Sequence, residues 1–197
     1  MSITEQILNM AKANQGVVTT AMIDSAGISR GNLKYLADSG RLENTARGVY
    51  ILPETWEDEL YSLQNRFGRG IYSGETALFL WDLTDRTPTK YSMTFPESYN
   101  VSVAKRENIR CSMVKETLYN LGITEVETPG KHLVKCYSME KTLCDILKPR
   151  AYTDIQVISD VLKRYVKRSD KNIPLLSEYA KQMGLEKKLR PYLEVLL

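Results

Sequence analysis

The sequence predicts an α+β protein with a winged helix-turn-helix at its N-terminus and a larger mixed α/β domain that ends in helices. Apolar residues at helical spacing, interrupted by turn glycines, extend to Gly40, and two short alternating runs follow. Several β-type runs then lie between Val101 and Tyr137, and helical patterns return after them. The predicted parts are the winged helix-turn-helix at residues 1–53, connecting helices at residues 54–84 and the larger domain at residues 85–197.

Three short helices are predicted before Gly40. The first carries apolar residues at helical spacing and ends near Gly16, and the second ends at a turn that Gly27 permits. Ser29 is well suited to cap the third helix, which Gly40 stops. The apolar stripe of this third helix is narrow and consists of Leu33, Leu36 and Ala37.

A two-stranded ribbon is predicted directly after the third helix. Residues 42–44 and 48–52 alternate well enough to be strands, and a loop of Thr45, Ala46 and Arg47 joins them. Helices followed by a ribbon, in this order, are typical of a winged helix-turn-helix.

The rest of the chain is predicted to mix helices and strands. A connecting helix begins at Thr55, its predicted N-cap, with Trp56 on its apolar face, and a short buried helix covers residues 75–82. Strands are predicted in YSMTFP, VSV, IRCSMV, ITEVET and HLVKCY. The closing helices are SMEKTLCDILK with Ser138 as cap, TDIQVISDVLKRYVKR with Thr153 as cap, IPLLSEYAKQMG and EKKLRPYLEVLL.

The formal net charge of +3 hides an uneven distribution of charge. Residues 1–50 carry five Lys and Arg against four Asp and Glu, residues 51–130 carry eight against twelve, and residues 131–197 carry fourteen against eight. The net charges of the three parts are therefore +1, −4 and +6. A basic surface attracts nucleic acid or an acidic protein, and solvated helix faces can have the same composition.

The third helix has a face that suits DNA. If Leu33 and Leu36 face the core, Arg30 and Lys34 share one outward flank, and Asn32 lies close to it. Arginine can pair with guanine, asparagine can pair with adenine, and lysine suits a phosphate.

The predicted ribbon would add Arg41 and Arg47, which would reach the DNA backbone or the adjacent minor groove. The same scaffold is also used for protein contact, and a net charge of +1 over residues 1–50 fits that alternative. Tyr35 and Tyr50 are predicted to pack in the core or at a hinge.

The sequence does not indicate an enzyme. His132, the only histidine, lies in a predicted strand, where a structural role is more common than general-base catalysis. Motifs for phosphate cradling, metal ligation or a nucleophile elbow do not occur. Asp82 and Asp85 are expected to cap a helix or to pair with a neighbouring arginine such as Arg86. We therefore expect no catalytic residue, cofactor or metal site.

Cellular location also follows from simple patterns. The sequence has no run of about 18 apolar residues that could span a bilayer. Glu5 stands where a signal peptide would carry positive charge. The cysteines have neither CxxC spacing nor histidine partners, so we expect reduced, mostly buried thiols at Cys111, Cys136 and Cys144. A cytoplasmic protein without a membrane partner is expected.

Three segments carry a resemblance to a known family. They are GVVTTAMIDSAGISRGNLKYLADSGRLENTARGVYIL, YSGETALFLWDLTDRTPTKYSMTFP and YSMEKTLCDILK. In this order they are similar to segments of the AbiEi antitoxins of bacterial abortive-infection systems, which confer phage resistance. The wing GRLENTARGVYIL and the segment SGETALFLWDLTDRTP are the most specific parts of the resemblance.

The resemblance implies a two-domain regulator. Its winged helix would bind inverted repeats in double-stranded promoter DNA and repress the operon that it shares with a toxin. Its C-terminal domain would counteract an AbiEii-like, nucleotidyltransferase-like toxin in the type IV manner, which needs no stable complex. The DNA-binding residues that carry over are Ser29, Arg30, Asn32 and Lys34 on the helix and Arg41, Asn44, Thr45 and Arg47 on the wing.

The antitoxic surface is expected among the basic helices after Ser138, because a net charge of +6 exceeds what a solvated face requires. Its target could be the toxin, the toxin's nucleic-acid substrate or additional promoter DNA. The alternative to an autorepressing antitoxin is a winged-helix interaction or regulatory protein without specific DNA binding. The candidate antitoxin residues are Lys148, Arg150, Lys163, Arg164, Lys167 and Arg168.

Overall fold

The computed structural model describes residues 2–151 and 153–196, which form two compact units. The first unit consists of the chain up to Gly68 together with Glu127–Val134. The second unit consists of Arg69–Val126 and the chain from Lys135 onward. The fold class is α+β, with a winged helix-turn-helix followed by a larger mixed domain, as the sequence predicts.

The first unit has the element order of a winged helix-turn-helix. Its elements are α1 (Ile3–Ala13), β1 (Val17–Thr19), α2 (Thr20–Ser25), α3 (Gly31–Asp38), β2 (Glu43–Ala46), β3 (Val49–Ile51) and α4 (Glu59–Arg66). Ser2 and Glu5 form a capping box at the start of α1, and the Thr19 hydroxyl accepts a hydrogen bond from the Met22 amide at the start of α2. The helices pack around one apolar cluster that contains Ile7, Ala11, Val18, Ile23, Leu33, Leu36 and Leu42.

The sheet of the first unit has three strands in the order β1-β3-β2, and both pairs are antiparallel. Val18 and Asn44 lie opposite Tyr50 on the two sides of β3. The register shifts between Asn44 and Ala46, which indicates a bulge in β2. Strand β1 therefore adds a third strand to the predicted two-stranded ribbon.

Two predicted helix caps in the first unit are wrong. The connecting helix does not begin after Thr55, because the Asp58 carboxylate accepts a hydrogen bond from the Tyr61 amide and starts α4 at Glu59. Trp56 consequently lies outside the helix, and 93% of its surface is exposed. Ser29 does not cap α3, since the N-cap position falls one residue later and is occupied by Arg30, which makes no capping hydrogen bond.

The second unit is built around a mixed sheet, and the segment 127–134 that joins its strands β7 and β8 is assigned to the first unit. Its elements are β4 (Ile71–Tyr72), α5 (Gly74–Leu80), β5 (Ser92–Pro96), α6 (Ser102–Arg106), β6 (Arg110–Val114), α7 (Glu116–Tyr119), β7 (Ile123–Glu127), β8 (Leu133–Tyr137), α8 (Met139–Ile146), α9 (Ile155–Val166), α10 (Ile173–Gln182) and α11 (Glu186–Leu196). A 3-10 turn covers Pro149–Ala151.

The strand order of this sheet is β6-β5-β4-β8-β7. Strands β4 and β5 are antiparallel, whereas β5 pairs with β6 and β4 pairs with β8 in parallel. All five residues of β5 are buried, which fits its position between β6 and β4 inside the sheet. The apolar cluster of the C-terminal helices includes Leu143, Leu162, Tyr165, Leu176 and Ala180, all fully buried.

Most predicted elements of the second unit are present. The VSV segment is an exception, because it forms helix α6, whose start is supported by a hydrogen bond from the Ser102 amide to the Asn100 side chain. Ser138 caps α8 as predicted, since its hydroxyl accepts a hydrogen bond from the Lys141 amide. Thr153 does not cap α9, because the Asp154 carboxylate accepts the hydrogen bond from the Gln156 amide.

The predicted domain boundaries at residues 53 and 84 differ from the division between the units. Helix α4 packs on β2, which places it in the first unit. Helix α5 packs on α8 and β5 in the second unit, so no separate connecting segment is needed.

Other predictions concern cysteines, metals and membranes. Cys136 and Cys144 are buried and Cys111 is partly buried, and all are free thiols. Within residues 2–151 and 153–196, no group of three His, Cys, Asp or Glu side chains could hold a metal ion. In the same described part of the chain, no helix has the length and apolar character needed to cross a membrane.

Candidate nucleic-acid interface

The outer face of α3 presents Lys34, Tyr35 and Asp38 to solvent, opposite the buried Leu33 and Leu36. The predicted core or hinge position of Tyr35 is wrong, because 64% of this residue is exposed. A helix turns by about 100° per residue, so position 35 lies roughly 200° from Leu33. Strict helical spacing could therefore have predicted that Tyr35 is exposed. Tyr50 is partly buried and packs against the core, as predicted.

Arg30 is exposed and forms a two-point ion pair with Asp24 of α2. Its Nε donates to Asp24 Oδ1 at 2.8 Å, and Nη2 donates to Asp24 Oδ2. The hydrogen bond from Arg30 lowers the pKa of the Asp24 carboxyl group. Because both side chains are exposed, the pair contributes little to stability, and a guanine edge could replace the carboxylate as acceptor.

Ser29 and Asn32 brace the turn that precedes α3. The Asn32 side-chain amide donates a hydrogen bond of 2.9 Å to the Ser29 carbonyl oxygen. A two-point contact from Asn32 to adenine uses the amide oxygen and one of the two amide hydrogens, so the other hydrogen can keep the turn contact. The Ser29 hydroxyl is exposed.

The tip of the wing is Arg47-Gly48, between β2 and β3. Gly48 has a φ of +79°, and a Cβ atom at this position would lie 2.7 Å from the Thr20 hydroxyl oxygen. The Gly48 carbonyl also accepts a hydrogen bond of 2.9 Å from the Thr20 amide. Only glycine fits this contact without strain, and it fixes the wing tip against the start of α2 with Arg47 exposed.

Asn44 and Thr45 are engaged within the wing itself. The Asn44 side-chain amide donates to the Ala46 carbonyl at 3.0 Å and to the Val49 carbonyl at 3.1 Å, which holds the bulge of β2. The Thr45 hydroxyl oxygen is buried and has no hydrogen-bond partner in the described part of the chain. This hydroxyl does not face solvent and is poorly placed to reach DNA.

Replacing Thr45 with valine is expected to raise the free energy of unfolding of the first unit by about 1 kcal/mol, because it removes an unpaired buried hydroxyl and keeps the shape of the side chain. Urea denaturation measures the change. Thr45→Ser is the matched control and should not stabilise. DNA affinity should stay constant in Thr45→Val, and a loss of affinity would show that the hydroxyl turns outward to contact DNA.

Arg41 lies at the other end of β2 from Arg47. It lines a shallow depression together with Glu5, Asn9 and Lys12 of α1. Since a strand rises by about 3.3 Å per residue, the two arginines that flank β2 are too far apart to bind one phosphate. Lys34, Arg41 and Arg47 are exposed and have no acidic partner among the described residues.

The candidate antitoxin residues differ in how far their charges are already paired. Arg164 forms a two-point ion pair with Asp85, with one hydrogen bond of 3.0 Å, so Asp85 pairs with this distant arginine and not with Arg86. Arg168 contacts Asp170 at 2.8 Å and donates to the Trp81 carbonyl at 3.1 Å.

Lys163 and Lys167 carry the least compensated charge of this set. They lie four residues apart at the C-terminal end of α9, both are exposed, and no ion pair involves them within the described residues. Lys148 contacts Asp145 at 2.7 Å and is only partly exposed. The side chain of Arg150 lies outside the described part of the structure.

Known proteins supply an independent comparison for this winged helix. Residues 5–53 match the protein family described as "Transcriptional regulator, AbiEi antitoxin". Residues 5–53 are therefore similar to the AbiEi antitoxin family. The match runs from α1 to β3 and confirms the resemblance for this part of the chain. This family comprises antitoxins that regulate transcription and is not an enzyme family.

Beyond residues 5–53 the chain is similar to a known protein in its fold. A crystal structure of the RV2827C protein from Mycobacterium tuberculosis has a TM-score of 0.51 and 13% sequence identity, and the match covers 97% of this chain and 80% of that chain. At this identity the likeness is evidence for a shared fold only, and it says nothing about activity. No curated protein matches the chain in sequence.

Proposed function

We propose that this protein is an antitoxin that represses its own operon by binding inverted repeats in the promoter and that counteracts a nucleotidyltransferase-like toxin. The observation that carries the proposal is the AbiEi winged helix with an exposed, unpaired Lys34 on α3 and an exposed, unpaired Arg47 at the wing tip. These are the two positions from which a winged helix-turn-helix can reach the major groove and the flanking backbone.

The exposed residues suggest a division of tasks on DNA. Lys34 and Arg47 suit phosphate oxygens, since both carry unpaired charge. Arg30 can exchange Asp24 for a guanine edge at small cost, because the ion pair that it breaks is exposed. Tyr35 adds an exposed aromatic ring that can contact a thymine methyl group.

A salt series tests this proposal. Affinity for the protein's own upstream DNA is measured over a range of salt concentrations and compared with unrelated DNA of equal length. In Lys34→Gln the slope of log affinity against log salt should become shallower by about one unit, because one phosphate contact is lost. Lys90→Gln, an exposed lysine of the second unit, is the matched control. Equal affinity for operator and unrelated DNA would contradict the proposal that the protein recognises its operator specifically.

Toxin neutralisation is assigned to the second unit and centred on Lys163 and Lys167. The full chain with both lysines changed to glutamate should fail to protect cells that express the cognate toxin, while repression of a promoter reporter persists. The matched control changes Lys181 and Lys187, which are exposed on other helices of the same unit, and should retain protection. Retained protection in the Lys163 and Lys167 variant would place the activity elsewhere.

A second candidate function is a winged-helix protein that contacts another protein and does not read DNA specifically. Trp56 favours it, because 93% of this indole-bearing residue is exposed next to α4, and exposed tryptophans often anchor protein interfaces. The salt series separates the two functions, since the second predicts no preference for the inverted repeat.

A further inference from the structure

The second unit contains a cavity of about 390 Å³ that the sequence did not predict. Its walls come from the start of α5, strands β5 and β6, helix α8 and the chain that follows α8. This volume lies within the usual range of small-molecule sites, which is roughly 300–1,000 Å³. The polar part of the lining includes Ser73, Glu75, Arg110, Ser112, Lys141 and Lys148.

The Asp145 carboxylate lines this cavity and pairs with two ammonium groups. Lys141 Nζ donates to Asp145 Oδ2 at 2.7 Å, and Lys148 Nζ lies 2.7 Å from Asp145 Oδ1. Arg110 pairs with Glu75 at 3.2 Å, so that pair is balanced. The charged groups that line the cavity therefore sum to one unmatched positive charge, which favours an anionic ligand.

Lys141 is held in place while its ammonium keeps unused donors. Its side chain is 2% exposed. Gly122, with a φ of +70°, packs so closely on its stem that an added Cβ would lie 2.9 Å from Lys141 Cβ. The ammonium lies 4.2 Å from the centre of the Tyr137 ring, and Asp145 is its only hydrogen-bond acceptor in the described residues. Burial lowers the pKa of Lys141, and an anion beside it would oppose that shift.

Hydroxyl groups add further donors. Thr94 Oγ1 donates to Ser73 Oγ at 2.9 Å, which leaves the Ser73 proton to be donated to another acceptor. Ser112 is exposed at the cavity mouth. Apolar side chains complete the lining with Leu78, Val114 and Ile146. Ammonium and hydroxyl donors beside an apolar wall suit a phosphate group attached to a small organic molecule.

We propose that this cavity binds a small organic phosphate, with Lys141, Lys148 and the Ser73 hydroxyl as phosphate donors. The site is separate from the winged helix, and its test does not depend on promoter binding or toxin neutralisation.

Isothermal titration calorimetry of the full chain with AMP, inorganic phosphate and adenosine tests the proposal. AMP should bind saturably, phosphate should compete with it, and adenosine should not bind. Lys148→Gln should weaken AMP binding by about tenfold, since it removes a charged hydrogen-bond donor. Lys163→Gln is the matched control, because it removes the same charge outside the cavity and should leave binding unchanged.

Two further variants test charge and geometry. Glu75→Gln should tighten AMP binding, because it frees Arg110, whereas Glu125→Gln outside the cavity should not. Lys141→Met should weaken binding and still fold, since Asp145 keeps Lys148 as its partner. The proposal is overturned if neither AMP nor phosphate binds saturably, if adenosine binds as well as AMP, or if Lys148→Gln and Lys163→Gln have equal effects.

Discussion

Replacing Asp58 with alanine is expected to lower the free energy of unfolding of the first unit by about 3–5 kcal/mol. The Asp58 carboxylate accepts hydrogen bonds from the Tyr61 amide at 3.1 Å and from the Thr128 hydroxyl, and it lies 2.8 Å from His132 Nδ1. The Asp58 and His132 side chains are 5% and 2% exposed, so water cannot replace the lost partner. The variant also removes the cap of α4, which is worth about 1 kcal/mol.

Urea denaturation, with amide hydrogen exchange to locate the change in α4 and residues 127–134, measures this effect. Asp24→Ala is the matched control, because it removes a carboxylate of the same unit whose ion pair with Arg30 is exposed, and it should change stability little. A loss of less than about 1 kcal/mol in Asp58→Ala would show that the cluster around His132 is not a principal source of stability.

Changing both Lys34 and Arg47 to glutamate is expected to reduce operator affinity by about 100-fold or more at physiological salt. Each change removes a proposed phosphate contact and would place a negative charge against the DNA backbone. The expected loss is large because these side chains are exposed and unpaired, so no internal acidic partner already masks their charge within the described residues. A mobility-shift or anisotropy titration with the operator measures the change.

The matched control for this experiment is the double glutamate variant at Lys163 and Lys167, which makes the same change in net charge on the second unit. It should bind the operator like the unchanged protein. Reciprocally, the Lys34 and Arg47 variant should still protect against the toxin. If both double variants lose operator affinity equally, the effect is one of net charge and the α3 and wing assignments fail.

The winged helix could be predicted because its signals are local. The glycines at the turns and the Leu33 and Leu36 stripe fix the order of elements within a short stretch of chain. The core or hinge position predicted for Tyr35 is wrong, because helical geometry turns this residue away from Leu33 and toward solvent.

The long-range contacts of both units could not be predicted, because they join distant parts of the chain. His132 and Asp58 are separated by 74 positions, and Arg164 and Asp85 by 79. Helical spacing alone puts Lys141 and Asp145 on one face of α8, yet only the packing of α8 against its neighbours turns that face into a cavity wall. In the VSV segment a local contact decides the structure. The hydrogen bond to the Asn100 side chain outweighs the strand propensity of valine.

The discontinuity of the first unit has a consequence for biosynthesis. Thr128 and His132, which bind Asp58, leave the ribosome more than sixty positions after the end of the AbiEi-matched segment at residue 53. The nascent winged helix can collapse around Leu33 and Leu36 early, but the Asp58 carboxylate lacks its Thr128 and His132 partners until this turn is translated. A fragment that ends at residue 68 would remain in that incomplete state permanently.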